Sequence, residues 1–222
     1  LAIRTPLAMS LDNNRRLSNL ISNFSRCKIL VVGDLMYDRF THGSVDRISP
    51  EAPIPIMRVK YNHEMLGGAG NAAFNVVAAG GRAQLISVVG DDPIADKAEQ
   101  LMRAQIGPDS VLIRESNRQT TIKQRYIANN QQLLRADTET TVPITAATEQ
   151  KLIPAYEAAL PSCDAVMISD YAKGVLTDNV LKQLIEKGRA AGKPVLVDPK
   201  RKDFSGYAGA TLIKPNRKEI SE

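Results

Sequence analysis

Short β-rich runs, each closed by a polar cluster, alternate along this chain with segments of helical periodicity, and that alternation constrains the fold more than any other feature. Lys28 to Val32 ends at Gly33-Asp34, Ala83 to Val89 at Gly90-Asp91-Asp92-Pro93, and Ala165 to Ile168 at Ser169-Asp170-Tyr171. Pro194 to Val197 ends at Asp198-Pro199-Lys200, and Leu212-Ile213 at Lys214-Pro215-Asn216. Between these runs, Asn71 to Ala79, Ile94 to Gln105, Thr148 to Ala159 and Thr177 to Ala191 carry helical patterns. Strands separated by helices pair in parallel, with the helices covering both faces. The fold class is therefore α/β, a Rossmann-like, mostly parallel sheet flanked by helices. Ligands bind such sheets at the carboxyl ends of the strands. Here those ends carry carboxylates, amides and lysines, the layout of an enzyme.

Two stretches break the rhythm. Phe40 to Leu66 and Arg118 to Asp137 read as hairpin-like segments of a small β lid, the second turning at Asn129-Asn130. Pro50, Pro53 and Pro55 keep Glu51 to Lys60 extended and out of the middle of any sheet. Ahead of the first strand, Leu17, Leu20, Ile21 and Phe24 mark a short amphipathic helix. Residues 1–27 thus read as an extension with that helix, and 28–222 as one domain. The chain opens on Leu1, with Met9 a candidate natural start, and stops inside a helical pattern at Asn216 to Glu222; the expectation is a fragment.

Composition narrows the function. At 222 residues, 43% hydrophobic and 24% charged, the chain has material for a packed core, which excludes wholesale disorder. Lys and Arg outnumber Asp and Glu by 29 to 24 without any run of five like charges. That pattern argues against nucleic acid and suits an enzyme handling phosphorylated anions. No stretch approaches a membrane span and no leader pattern opens the chain. Cys27 and Cys163 lack any zinc or redox spacing and read as buried thiols. The expectation is a cytoplasmic protein without membrane or nucleic-acid partners.

Several residues are candidates for the chemistry, each with a plainer alternative. Gly67-Gly68-Ala69-Gly70-Asn71 before a helix lets backbone approach a ligand; it also partly matches a dinucleotide fingerprint, or is a simple tight turn. Asp34 and Asp38, on the loop after the first strand, could accept sugar hydroxyls, Asp38 being the better candidate and Asp34 a possible turn cap. Lys123 and Arg125 alternate onto one lid face and, with Arg135, could meet a phosphate, or be solvated edge charges. Asp170 with Lys173, and Asp198 with Lys200, pair a carboxylate and an ammonium past a strand. Asn216 and Glu219, one helical turn apart, could serve hydrated Mg²⁺ and phosphates, or form a capping box. His42 and His63 read as ordinary polar residues of the lid.

The order of Gly33-Asp34, Asp38, a β excursion, Gly67-Gly68-x-x-Asn71, Gly90-Asp91 and Asn216-x-x-Glu219 resembles the ribokinase-like (PfkB) sugar kinases. Within that family, Asp46-Arg47-Ile48-Ser49-Pro50-Glu51-Ala52-Pro53-Ile54-Pro55 is similar to the signature of bacterial D-glycero-β-D-manno-heptose 7-phosphate kinases, the kinase half of a bifunctional heptose kinase/adenylyltransferase. Asn130 to Asp137, Ser169 to Gly174 and Val197 to Lys200 resemble it too. The resemblance implies ATP and Mg²⁺, and phosphorylation of the anomeric hydroxyl of heptose 7-phosphate on the route to ADP-heptose and lipopolysaccharide. It implies sugar binding by Asp38, Gly67, Gly68 and Asn71, with Asp170 beside them. Lys123, Arg125 or Arg135, with Lys173 nearby, would meet the 7-phosphate. Lys200 and Asn216 would approach the nucleotide, and Glu219 would hold Mg²⁺ through water. It also implies a homodimer through the lid. The G-A-G-D motif that supplies the family's anion hole and Asp base does not occur in this sequence, so the 222-residue chain is expected to bind sugar but hardly transfer phosphate. A different phosphosugar kinase of the family, and a non-catalytic binding or dimerisation remnant, are the alternatives.

Overall fold

The computed structural model describes residues 11–221; the candidate start at Met9 and the terminal Glu222 lie outside them. In chain order the elements are α1 (Leu11–Ser22), β1 (Lys28–Gly33), β2 (Leu35–Ile48), β3 (Pro55–Gly68), α2 (Ala69–Ala78), β4 (Arg82–Gly90), α3 (Pro93–Gln105) and β5 (Val111–Glu115). They continue with β6 (Ile122–Ala128), β7 (Gln131–Thr138), α4 (Ala146–Ala159), β8 (Ala165–Ser169), α5 (Asp178–Ala190), β9 (Val195–Asp198), β10 (Leu212–Ile213) and α6 (Arg217–Ser221). Among the described residues no helix is long and apolar enough to cross a membrane.

Six strands form an all-parallel sheet in the order β10-β9-β8-β1-β4-β5. Its central strands are buried on both faces, and successive residues feed opposite cores. Leu30 and Val32 of β1 join Ile86 and Val88 of β4 beneath α4 and α5, where Leu152, Tyr156, Leu181 and Leu184 close the layer. Val31 and Leu85 face the other way, with Ala73 of α2 and Ala98 and Met102 of α3. This is the period-two alternation of a sheet covered on both sides. Each fully buried Val, Leu or Ile removes apolar surface worth about 1.5–3 kcal/mol, so these two layers carry the stability of the domain.

The other four strands make the lid, in the order β3-β2-β6-β7. β2 pairs antiparallel with β3 and parallel with β6, and β6 pairs antiparallel with β7. Pro50 and Pro53 lie in the connection between β2 and β3, and Pro55 opens the edge strand β3, where a missing N–H does no harm. Asn129 and Asn130, with φ of 51° and 62°, supply the left-handed turn between β6 and β7. On one lid face the Glu64 carboxylate accepts from Arg39 Nε at 2.8 Å and lies 3.7 Å from Lys97 Nζ of α3, tying the lid to the body.

Three expectations need correction. The lid begins at Leu35, one residue after β1, and its strands cover 35–48, 55–68 and 122–138 rather than 40–66 and 118–137. Asp38 therefore stands on a strand, not on a loop. β5 was not foreseen: it is a short edge strand whose last two residues, Arg114 and Glu115, are charged, which hides its β character. Finally, Cys163 is buried as expected but Cys27 is exposed.

At the end of β5, Glu115 anchors two elements. Its Oε1 accepts the Thr145 amide and the Thr148 hydroxyl at the start of α4, both at 2.8 Å, and its Oε2 accepts from Arg118 Nε at 2.7 Å. Arg118, itself buried, donates on to the carbonyls of Thr140 and Lys173. Burial opposes the Glu115 charge, but these donors outweigh it and hold its carboxyl at about 2. A depressed carboxylate stabilises the fold above its unfolded value near 4.5, and that contribution is lost as pH falls towards 2. Glu115→Gln should cost about 2 kcal/mol at pH 7 and flatten the stability profile between those limits. Urea unfolding of both proteins across that range checks it; parallel profiles would contradict the assignment.

Candidate functional site

The site is assembled around Asp34, which follows β1 and is buried. Its Oδ2 accepts the Tyr171 and Lys173 amides at 2.8 and 3.2 Å, and its Oδ1 accepts the Val175 amide at 3.1 Å. Its own N–H donates to the Ser169 carbonyl, and its carbonyl accepts the Ala69 amide at the start of α2. One residue thus joins β1, the loop after β8 and the helix after the lid. Burial pushes its carboxyl up, and the three amides pull the other way. The loop it gathers is tightly coiled: Ala172 and Gly174 both have positive φ, 54° and 90°. Asp34 is therefore an organiser, more than the turn cap its position alone allowed.

Asp38, on β2, sits in register with Met65 of β3 and Lys123 of β6. Its Oδ1 accepts from Arg125 at 2.6 Å, and its Oδ2 lies against Gly67, where any Cβ would collide with it. Gly68 next to it has φ 57° and packs on the Asp34 carbonyl, so a side chain is excluded there by strain and by space. Asn71 follows in the first turn of α2, half-buried. The Arg125 guanidinium also lies 4.9 Å from the centre of the Phe40 ring.

The basic residues of the lid form one continuous cluster with their carboxylates. Lys123 contacts Asp137 at 3.0 Å and Glu139 at 3.7 Å; Arg135 contacts Asp137 at 3.0 Å; Lys173 reaches Glu139 at 2.7 Å. Lys123, Arg125 and Arg135 belong to the lid and Lys173 to the loop after β8, so the cluster bridges the seam between the two sheets. Lys123 and Arg125 alternate on β6, and the face they share also bears Asp38.

At the other strand ends the plainer readings gain ground. Asp170 is enclosed: Oδ1 accepts the Ala172 amide at 2.7 Å and Oδ2 the Tyr207 hydroxyl at 2.7 Å, with Arg201 at 3.5 Å. It shapes the loop and leaves scarcely any surface for a ligand. Tyr207, raised to about 12 by burial and by its bond to Asp170, also accepts the amides of Lys200 and Arg201. Asn216 and Glu219 form a reciprocal capping box. Asn216 Oδ1 accepts the Lys218 and Glu219 amides at 3.0 Å, and Glu219 Oε2 accepts the Asn216 amide at 2.8 Å. Glu219 Oε1 remains towards Lys200, 3.7 Å away. Among the described residues no group of three His, Cys, Asp or Glu side chains could hold a metal ion.

Burial raises the Tyr171 hydroxyl, and the charges of Asp198, Asp38 and Glu219 raise it further, so it feels both the lid carboxylate and those beside β9 and α6. His42 stacks on Tyr61 with ring centres 4.6 Å apart, and Phe40 lies 6.1 Å from His63, keeping both histidines in lid packing. Tyr171, Arg118 and Glu139 were not among the sequence candidates. Apart from the local Arg118–Glu115 pair, their partners lie far along the chain.

The pfkB family carbohydrate kinase pattern matches residues 27–222. The bifunctional protein HldE of Caulobacter sp. (strain K31) is 51% identical over 206 residues, covering 93% of this chain and 42% of that protein. The HldE of Caulobacter vibrioides is 49% identical with the same coverage. The chain thus spans about two fifths of the length of these relatives. Among solved structures, a possible 1-phosphofructokinase from Thermotoga maritima superposes with a TM-score of 0.66 at 16% identity, covering 88% of this chain and 62% of that one. The tetrameric inhibited form of Escherichia coli phosphofructokinase-2 superposes at 0.64 with 20% identity and the same coverage. The parallel sheet with its β lid is the fold of those kinases, and this chain belongs to the pfkB family of carbohydrate kinases.

Proposed function

We propose that the chain is the sugar-binding part of an ATP-dependent kinase that phosphorylates the anomeric hydroxyl of D-glycero-D-manno-heptose 7-phosphate to the 1,7-bisphosphate, in ADP-heptose and lipopolysaccharide core synthesis. The observation that carries it is the lid face on which Asp38, seated on Gly67, lies in register beside Lys123 and contacts Arg125, with Lys173 brought alongside. A carboxylate on bare backbone suits sugar hydroxyls, and the flanking cations suit a phosphate at the far end of the same molecule. The heptose assignment rests on the Asp46 to Pro55 signature and on the identity to proteins named HldE.

In this reading Asp38, Gly67, Gly68 and Asn71 hold the sugar, and Lys123, Arg125 or Arg135, with Lys173 nearby, meets its phosphate. Asp170 supports from behind by fixing the loop that carries Lys173. Lys200 and the amide of Asn216 approach the ATP phosphates, and Glu219 positions Mg²⁺ through water. The ion, when bound, offsets phosphate charge as the phosphoryl group moves. The exposed apolar side chains Ile48, Ile54, Val59 and Tyr61 on the lid support a homodimer formed through it. A cytoplasmic location follows from substrates of this kind.

Calorimetric titration should show heptose 7-phosphate binding at least about tenfold tighter than unphosphorylated heptose, the worth of one charge-assisted contact; equal affinities would contradict the phosphosugar assignment. Asp38→Asn should weaken heptose 7-phosphate about tenfold or more while the protein still melts cooperatively. A coupled ATPase assay on the 222-residue chain should register almost no sugar phosphorylation, since the anion-hole glycines and Asp base are not in this sequence. Turnover comparable to a full-length relative would overturn that part of the reading.

A further inference from the structure

Glu139, in the link after β7, stands between two lysines that approach from different parts of the molecule. Its Oε1 accepts from Lys173 Nζ at 2.7 Å. Its Oε2 is buried, accepts no hydrogen bond, and lies 3.7 Å from Lys123 Nζ. A buried carboxylate oxygen without a donor is costly, so the arrangement is an incomplete one. Lys123 comes from the lid and Lys173 from the loop that Asp34 gathers, and both ammoniums are largely shielded from solvent. Lys123 Nζ is also held by Asp137 at 3.0 Å, so Glu139 is its second and more distant carboxylate. A phosphate has more oxygens and nearly twice the charge with which to meet the two ammoniums. The two anions cannot share the place between them, because like charges at contact distance repel strongly in a partly desolvated site.

We propose that Glu139 is a built-in stand-in for the substrate's phosphate: its carboxylate occupies the seat between Lys123 and Lys173 in the empty protein and is displaced when the phosphate arrives. This rests on the reading of the cluster as a phosphosugar site. It assigns the phosphate to Lys123 and Lys173, leaving Arg125 to Asp38. It also gives the site a selective device. A sugar without a phosphate has no charge with which to displace Glu139, so the seat stays closed to it. A donor from a substrate hydroxyl could complete Oε2 instead, but that would leave the phosphate facing a carboxylate; the two ideas predict opposite signs.

The test is a titration of the 222-residue chain with inorganic phosphate, and separately with unphosphorylated heptose, for the wild type, Glu139→Gln, Lys173→Met and Lys123→Met. Removing the competing charge should tighten phosphate binding about fivefold or more in Glu139→Gln and leave unphosphorylated heptose unchanged. Lys173→Met should weaken phosphate. If Glu139→Gln binds phosphate no better than the wild type while Lys173→Met weakens it, the stand-in is wrong and the phosphate site survives. If neither Lys173→Met nor Lys123→Met alters phosphate binding, the site reading fails and the stand-in with it. A change of equal size for heptose and phosphate in Glu139→Gln would mark a general disturbance and also overturn the proposal. Glu139→Ala, predicted to shift the same way, replaces Glu139→Gln should the latter not fold.

Discussion

The buried carboxylate of Asp34 is the constraint on which the rest of the site depends. Three amides of a single loop converge on it, across more than a hundred residues of sequence. That clasp holds the loop, with Ala172 and Gly174 at positive φ, in company with Asp170 and Arg118, which bond the Ala172 amide and the Lys173 carbonyl. It helps to keep Lys173 in its place opposite the lid. The main-chain carbonyl of Asp34 accepts the amide of Ala69, the first residue of α2, and so helps to set where Gly68 and Asn71 lie. Positioning of this kind is what a phosphoryl-transfer enzyme needs most, since its chemistry depends on alignment and charge more than on covalent participation.

Around this frame the charges are arranged as pairs. Arg125 meets Asp38, Lys123 and Arg135 meet Asp137, and Lys173 meets Glu139. An unoccupied cluster of cations would repel itself and destabilise the lid seam; alternating carboxylates hold it together. The arrangement also means that an anionic ligand must exchange partners with groups already in contact. Affinity is thereby lowered and selectivity raised, because only a ligand carrying enough charge gains from the exchange. The network at Glu115 and Arg118 plays a quieter part, fixing the chain where it leaves the lid and enters α4.

Much of this was legible in the chain itself. The strands β1, β4, β8, β9 and β10 are punctuated by glycine, proline and carboxylates, so both their existence and their carboxyl ends could be placed. The Asn129-Asn130 turn and the edge position of the proline-rich strand follow from backbone chemistry alone. What escaped depended on distant partners. β5 is short and ends in charged residues, so its strand character comes from pairing with β4 and not from its own composition. The lid's first strand starts at Leu35 because it pairs with Gly68, which local periodicity cannot reveal. Sequence already favours Asp38 over Asp34 as the ligand candidate, but only burial and the three amides show that Asp34 organises the loop. Asn216 and Glu219 carry a capping signature that a helix start satisfies on its own, so geometry had to decide how much of each remained for a ligand.

Asp34→Asn, examined by amide hydrogen exchange and by heptose 7-phosphate titration, addresses the dependence of site on clasp most directly. The clasp predicts faster exchange at Tyr171, Lys173 and Val175 and loss of sugar-phosphate binding, with the amides of β1 and β4 still protected. Unchanged exchange in that loop together with undiminished affinity would show that the pocket does not hang on this carboxylate.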